Sequence, residues 1–142
     1  MRQQVREANL HERITVDSAG TGDWHIGEAP DERAQRAAAG RGYDLADLRG
    51  RQIAASDFER FDLLIAMDDA NVAALRRLCP PAQRDKIRLL MEFVAQTDDR
   101  WKDEREVTDP YFGGAAGFEQ VLDQCEAACR GLIAALHRQL AP

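Results

Sequence analysis

The sequence lacks the features that mark secreted, membrane-spanning and modular proteins. Its 142 residues hold three cysteines, an odd number whose spacing fits no zinc template. No apolar run reaches the length of a membrane span, and the first seven residues, MRQQVRE, contain no apolar segment of the kind a signal peptide needs. No Gly/Ser-rich or Pro-rich linker and no internal repeat divides the chain. These absences predict one cytoplasmic domain over residues 1–142 with free thiols and no membrane partner.

The chain has fewer positively charged residues than negatively charged ones, 19 Lys and Arg against 25 Asp and Glu. The formal net charge is −6 and the sequence pI is about 5.1, with Arg and Lys scattered along the chain. This balance argues against a nucleic-acid partner, which would call for a basic patch. The three histidines share no metal-like spacing, so we predict that they lie on the surface.

Apolar and β-branched runs alternate with helical patterns. Strands are predicted at 14–18, 61–67 and 87–93; helices are predicted at 1–12, 31–39, 68–78 and 117–140, with one helical turn at 56–59 capped by Ser56. This alternation predicts an α/β fold with a parallel sheet. Ligands bind such folds at the carboxyl ends of the strands, where the loops 19–27, 67–71 and 92–114 are expected to lie.

One of those loops contains the hexapeptide DPYFGG, which begins at Asp109. Pro110 biases Asp109 toward an extended backbone, and the two glycines permit a tight turn. A carboxyl group held beside the rings of Tyr111 and Phe112 suits proton transfer to an aromatic leaving group. The competing interpretation is a polar loop that ends in the N-cap of the next helix.

Other motifs have simpler explanations. The Gly-Thr-Gly at 20–22 lacks the third glycine of a dinucleotide fingerprint, so we interpret it as part of a loop that presents Trp24. Asp68 and Asp69 suit a helix N-terminus better than a magnesium site. Cys125 and Cys129 are four residues apart on one helix face and are interpreted as buried apolar residues.

The order of these motifs resembles that of the low molecular weight protein tyrosine phosphatases. The matching stretches are ITVDSAGT at 14–21, DWHIG at 23–27, FDLLIAMD at 61–68 and DPYFG at 109–113, with a similar last helix around 124–130. They cover nearly the whole chain. The resemblance implies a three-layer, flavodoxin-like fold, with a parallel sheet and helices on both faces.

The same resemblance implies a two-step hydrolysis of phosphotyrosine monoesters. A cysteine in a Cys-x5-Arg loop attacks phosphorus, and Asp109 acts as general acid on the phenolate and then as general base for water. Trp24, Tyr111 and Phe112 would wall the slot for the phosphotyrosine ring. The implied substrates are a phosphotyrosine-containing protein or a small aryl phosphate, and no metal or organic cofactor is implied.

The sequence departs from the family at the nucleophile. Cys79–Arg84 and Cys125–Arg130 each enclose four residues, and no Cys-x5-Arg occurs. We therefore predict an N-terminally truncated domain that lacks the first, central strand and its catalytic loop, is inactive alone and self-associates through exposed sheet edges. One explanation is that translation starts upstream of Met1 and that the complete protein is an intact phosphatase. The alternatives are a non-catalytic phosphotyrosine-binding module and a thiol-dependent arsenate reductase relative, for which Cys79 is the local thiol.

Overall fold

The structure is a computed structural model that describes residues 1–94, 98–110 and 114–141. The helices are α1 (Arg2–Glu7), α2 (Glu32–Ala39), α3 (Asp57–Arg60), α4 (Asp69–Leu78) and α5 (Gly114–Leu140), and the strands are β1 (Leu64–Ala66) and β2 (Ile87–Leu89). Two 3-10 helices, Pro81–Lys86 and Leu90–Phe93, flank β2. In these ranges no helix is both long and apolar enough to cross a membrane.

The two strands are parallel, as the alternation of strands and helices predicted. Leu64 pairs with Ile87 and Ala66 pairs with Leu89. The connection between them contains α4, which contacts both strands. Parallel neighbours need such a crossover, because the chain must return to the starting end of the sheet. The α/β prediction is therefore confirmed.

Alternate residues of β1 pack into different layers. Leu64 and Ala66 join a buried cluster with Phe58 of α3 and Leu75 of α4. Ile65 instead packs with Leu63 against a second cluster, whose buried members on α5 are Ala127, Ala128, Cys129 and Leu132. A strand exposes successive side chains to opposite faces, so β1 is covered by helices on both sides. This arrangement confirms the three-layer prediction.

The predicted strand at 14–18 does not form. Residues 14–18 have no strand pairing, and the isolated parallel bridge that follows them joins Gly20 to Gln52. The carbonyl of Val16 accepts hydrogen bonds from the guanidinium of Arg2, at 3.2 and 3.1 Å. A strand needs a backbone ladder on at least one side. The β-branched run has the composition of a strand, but no neighbouring strand pairs with it in the described parts of the chain.

The other strand predictions were too long. The 61–67 run forms a strand only over Leu64–Ala66, and the 87–93 run only over Ile87–Leu89. The carboxylate of Glu92 accepts the N–H of Leu89 at 3.1 Å and turns the chain into the 3-10 helix Leu90–Phe93. A side chain that bonds back to the backbone offers an alternative to the sheet ladder.

The first helix is also shorter than predicted. α1 ends at Glu7 instead of continuing to Glu12, because Asn9 adopts a positive φ of 58°. The N–H of Leu10 then bonds the carbonyl of Val5 at 3.0 Å, and this six-residue closure is a Schellman motif. Asn is one of the few residues other than Gly that enters this conformation readily.

The last helix forms the longest element and starts slightly earlier than predicted. It begins at Gly114, whose φ is +61°, rather than at 117. Val5 and Leu10 at the amino terminus pack with Ile133 of α5 in a third cluster. α5 thereby joins both ends of the described chain and covers one face of β1.

Candidate active site

The end of β1 is held by side-chain hydrogen bonds. Asp68 is the N-cap of α4, and its carboxylate accepts the N–H of Asn71 at 2.8 Å. The side-chain oxygen of Asn71 in turn accepts the N–H of Met67 at 3.2 Å. Asp68 therefore acts as a helix cap, as predicted. The turn at this carboxyl end, where α/β folds place their ligands, has a fixed geometry.

The segment 105–110 lies across this turn. The N–H of Val107 donates to the carbonyl of Met67 at 2.8 Å, directly after β1. The guanidinium of Arg105 binds both carboxylate oxygens of Asp69, with its shortest bonds at 2.9 Å, and the carboxylate of Glu106 accepts the N–H of Asp69 at 2.8 Å. Three successive residues of the segment are thus attached to the end of β1 and the first turn of α4.

α5 holds the same segment from the other side. The side-chain oxygen of Gln124 accepts the N–H of Thr108 at 3.2 Å, and the amide of Gln120 reaches the Thr108 hydroxyl at 3.4 Å. Pro110 packs so close to Gly117 that a Cβ at Gly117 would lie 3.7 Å from it, in ordinary contact. Before Asp109 the backbone is therefore hydrogen-bonded to α5, and after it Pro110 lies near Gly117 of the same helix.

Asp109 is exposed and lies outside any helix or strand. It precedes the first residue of α5, Gly114, by five positions, so it is not the residue that caps the helix. The competing interpretation, a polar loop that ends in the N-cap of α5, concerns residue 113, which lies outside the described residues. Asp109 lies between Thr108, which is hydrogen-bonded to Gln124 of α5, and Pro110, which lies near Gly117 of the same helix. The placement of residues 105–107 at the carboxyl end of β1 agrees with the predicted position of the loop 92–114, and the role of Asp109 there stays a prediction.

Trp24 lies in a separate loop. Its side chain is 70% exposed, and its ring lies over Gly22, where any Cβ would collide with it. The ring also meets the His25 ring edge-on, with 6.3 Å between centroids. Both ring contacts are made within the loop. The exposure of Trp24 agrees with the prediction that this loop presents it. Tyr111 and Phe112, the other predicted wall residues, lie outside the described residues.

The loop of Trp24 is closed by backbone bonds to the segment around Gly50. The N–H of Gly27 donates to the carbonyl of Gly50, and the N–H of Gly50 donates to the carbonyl of Glu28, both at 2.8 Å. The backbone of His25 lies so close to Gly50 that a Cβ there would collide with it. His25 itself bonds Glu28 at 2.8 Å and is exposed, as are the other histidines, which confirms their surface location.

None of the cysteines has the surroundings of a nucleophile. Burial, reinforced by Cys129, raises the pKa of Cys125 to about 11, and burial also raises the pKa of Cys129. Cys79 is buried, and its thiol donates to the carbonyl of Pro80 at 3.3 Å. A reactive thiol needs a lowered pKa and access to solvent. The interpretation of Cys125 and Cys129 as structural, apolar residues is supported.

Gln124 is a site residue that the sequence analysis missed. It is completely buried, with a relative exposure of 0%, and its side-chain nitrogen has no hydrogen-bond partner within the described ranges. A buried polar group without a partner costs about 1–3 kcal/mol. The available signal was its position: it lies three residues after Val121 and four before Ala128, on the apolar face of the helix. The Arg105–Asp69 pair had no sequence signal, since the two residues are 36 positions apart.

Comparison with known proteins points to one family. The family profile described as low molecular weight phosphotyrosine protein phosphatase matches residues 1–141. A low molecular weight protein-tyrosine-phosphatase of Streptomyces coelicolor is 44% identical, and the alignment covers 98% of this chain and 83% of that protein. A putative phosphatase of the same class from Synechocystis is 38% identical, with 99% and 86% covered.

Solved structures agree with the sequence matches. The protein tyrosine phosphatase of Entamoeba histolytica superposes with a TM-score of 0.90 at 34% identity, over 99% of this chain and 86% of that chain. YfkJ of Bacillus subtilis superposes with a TM-score of 0.88 at 31% identity, over 99% and 84%. Together with the parallel strands and the two helical layers, these matches show the fold that the sequence motifs implied. The chain belongs to the low molecular weight protein tyrosine phosphatase family.

Proposed function

We propose that this chain provides the general acid for the hydrolysis of phosphotyrosine monoesters, and that Asp109 is that acid. The observation that carries the proposal is the attachment of segment 105–110 to two elements, with Asp109 left exposed between them. A general acid must be held within hydrogen-bond reach of the oxygen that it protonates. The hydrogen bonds of Val107 to the end of β1 and of Thr108 to α5 support this role, because they hold the backbone next to Asp109.

The chemistry requires the same carboxyl group twice. In the first step a cysteine thiolate forms a bond to phosphorus, the bond from phosphorus to the phenolic oxygen breaks, and Asp109 gives its proton to that oxygen. In the second step Asp109 takes a proton from water, whose oxygen attacks phosphorus and releases the cysteine thiolate. The products are tyrosine and inorganic phosphate, and Asp109 ends protonated as it began.

The substrate ring would lie against aromatic side chains. We propose that Trp24, Tyr111 and Phe112 form the walls of the slot, which suits a phosphotyrosine-containing protein or a small aryl phosphate. The exposure of Trp24 supports this role, because a large apolar ring left 70% exposed is available for contact with a ligand. Stacked or edge-on aromatic pairs favour such a substrate over an alkyl phosphate.

The 142 residues do not supply the nucleophile. They contain no Cys-x5-Arg, and each of their cysteines is buried or has a raised pKa. We therefore propose that this chain alone does not turn over phosphotyrosine. The absence of the motif also favours a second candidate, a module that binds phosphotyrosine without hydrolysing it.

The arsenate reductase alternative is less well supported. It needs a reactive thiol near the site, and Cys79 follows the last residue of α4, whereas Asp68 and Asp69 lie at the first turn. Ten helical residues separate the two ends by roughly 15 Å. Cys79 is also buried and hydrogen-bonded to Pro80. Arsenate-dependent consumption of reduced thioredoxin by the chain would revive this alternative.

The test of the acid role uses protein purified from its native source. Its intact mass is measured first, because a mass above 15.9 kDa with a Cys-x5-Arg peptide ahead of Arg2 supports the enzyme, whereas a mass of 15.9 kDa supports the binding module.

If the protein is longer and contains that peptide, Asp109→Asn in the longer protein should lower kcat for phenyl phosphate by about 10²–10⁴. It should affect p-nitrophenyl phosphate much less, since that leaving group departs without a proton. Asp103→Asn, an exposed aspartate of the same charged run, is the matched control. Equal losses on both substrates would contradict the proposed role.

A further inference from the structure

Gln124 is a polar side chain in an apolar setting. It is completely buried on α5, and its helical neighbours Ala127 and Ala128 belong to the buried cluster beneath β1. Leu or Met at this position would fill similar space without placing an amide in the core. The presence of an amide therefore needs a reason, and its hydrogen bond to Thr108 is the candidate reason.

That hydrogen bond also determines how the amide is oriented. The backbone N–H of Thr108 can only donate, so the oxygen of the Gln124 side chain must face it. This orientation leaves the side-chain nitrogen without a hydrogen-bond partner among the described residues. The side chain thus satisfies the backbone of Thr108 and leaves its own donor unsatisfied, and its one described hydrogen bond fixes the residue immediately before Asp109.

The other attachments of the segment differ in kind. The Val107 bond to Met67 joins two backbones, and it lies two residues before Asp109. The Arg105–Asp69 pair is exposed, with 67% and 52% of the side chains accessible, so solvent and salt weaken it. The bond from Gln120 to Thr108 is long, at 3.4 Å, and Gln120 is exposed. Among the described residues, Gln124 alone combines full burial with a direct hydrogen bond to the neighbour of Asp109.

We propose that Gln124 is a positioning residue for Asp109: its buried amide oxygen fixes the Thr108 backbone and thereby the direction in which the Asp109 carboxyl group points. The significance of this role rests on the proposed function of Asp109 as general acid. Gln124 does not touch the substrate, because it has no exposed surface.

The test is made on the 142-residue chain by NMR, which needs no catalysis. Gln124→Met removes the acceptor at nearly constant shape, Gln124→Glu retains an oxygen acceptor, and Gln120→Met is the matched control one turn earlier. In Gln124→Met, exchange of the Thr108 amide hydrogen should accelerate on the order of tenfold or more, and the three-bond couplings that report the Asp109 χ1 angle should move toward rotamer averaging. Gln124→Glu should restore both values, and Gln120→Met should change neither.

Unchanged Thr108 exchange and unchanged Asp109 χ1 couplings in folded Gln124→Met would overturn the proposal. If that variant does not fold, the wild-type chain decides the matter. A scalar coupling across the hydrogen bond, between the Thr108 nitrogen and the Gln124 side-chain carbonyl carbon, supports the proposal, and its absence in an otherwise observable spectrum overturns it. A failure of the acid role is seen separately, as a lack of leaving-group dependence in Asp109→Asn, so the two failures are distinguishable.

Discussion

Two side-chain nitrogens of Arg105 donate hydrogen bonds to the carboxylate of Asp69. They attach the segment that carries Asp109 to the first turn of α4. The side-chain Nε donates to one carboxylate oxygen at 2.9 Å, and a terminal nitrogen donates to the other at 2.9 Å. Such a fork-to-fork pair fixes direction as well as distance. Because both side chains are exposed, its contribution is to the geometry of the loop and not to global stability.

Breaking this pair should loosen the loop without unfolding the protein. Arg105→Gln should speed amide exchange at Glu106 and Val107 and leave the thermal midpoint unchanged, and 1 M salt should have a similar local effect. Arg88→Gln, which breaks the exposed Arg88–Glu92 pair elsewhere, is the control and should leave the loop unaffected. A large drop in the thermal midpoint for Arg105→Gln would show that the pair has a structural role instead.

The same pair should respond to acid. The Arg105 guanidinium lowers the pKa of Asp69 below its ordinary value of 3.8. The pair is therefore fully formed above pH 3.8 and is lost as the pH falls through the lower, folded-state pKa. Amide exchange at Glu106, corrected for its intrinsic pH dependence, should rise only below about pH 4. A rise between pH 5 and 7 would assign the transition to another group.

Asp57 should be the main acid-sensitive anchor of the core. Its buried carboxylate binds the Arg51 guanidinium at 3.0 and 3.1 Å and accepts the N–H of Ala54 at 2.8 Å. Arg51→Met leaves this charge unpaired and should cost on the order of 2–3 kcal/mol, below the range for a fully buried pair because the Arg51 side chain is 34% exposed. Urea denaturation measures the loss, and Arg88→Met is the surface control.

The pH dependence of stability provides a second measurement on Asp57. The Arg51 hydrogen bond lowers its pKa from 3.8, so its contribution is complete above that pH and is lost as the pH falls through the folded-state pKa. Asp57→Asn should therefore be less stable than wild type at pH 7, and the difference should shrink in acid. A difference that stays constant down to pH 2 would contradict the assignment.

The cysteines should be inert in the folded chain. Burial raises the pKa of Cys125 to about 11 and that of Cys129 above its ordinary value, and Cys79 is buried at the end of α4. A thiol reagent at pH 7.5 should react with all three only in denaturant, where the thiols become accessible. Rapid stoichiometric labelling of one cysteine in the native chain would indicate an available nucleophile and weaken the proposal that this chain is inactive alone.

The isolated chain should self-associate. Within the described ranges β1 and β2 pair only with each other, so each presents an edge, and Trp24 and Ile26 are 70% and 56% exposed. Unpaired edges and exposed apolar side chains favour association. Size-exclusion chromatography with light scattering should show a mass that rises with concentration. A monomer at every concentration with a cooperative melt would contradict this prediction.

Local patterns in the sequence predicted the elements that depend on local interactions. The apolar run around β1 predicted a strand with two covered faces, and Asp68 predicted the start of α4. The periodic apolar positions of α5 predicted a helix that covers the sheet. These signals are reliable because both the spacing of apolar positions and the capping hydrogen bond depend on residues within a few positions of each other.

The predictions that were wrong or missing concern features that depend on residues far apart in the sequence. The run 14–18 has strand composition, but pairing is decided by a neighbouring backbone and not by the run itself. The attachment of Asp109 depends on Arg105 meeting Asp69 and on Thr108 meeting Gln124, contacts between residues 36 and 16 positions apart. The sequence predicted Asp109 at the carboxyl edge of the sheet but carried no signal for the contacts that hold the residues before it.

The most direct test of the central claim is phosphate release from phosphotyrosine by the purified 142-residue chain. Because this chain is proposed to carry the acid Asp109 but no nucleophile, we predict no release above that of an Asp109→Asn control, even over times that allow a single turnover per molecule. Repeated turnover by this chain that disappears in Asp109→Asn would contradict the account, because it would require a nucleophile among residues that we have described as buried and inert.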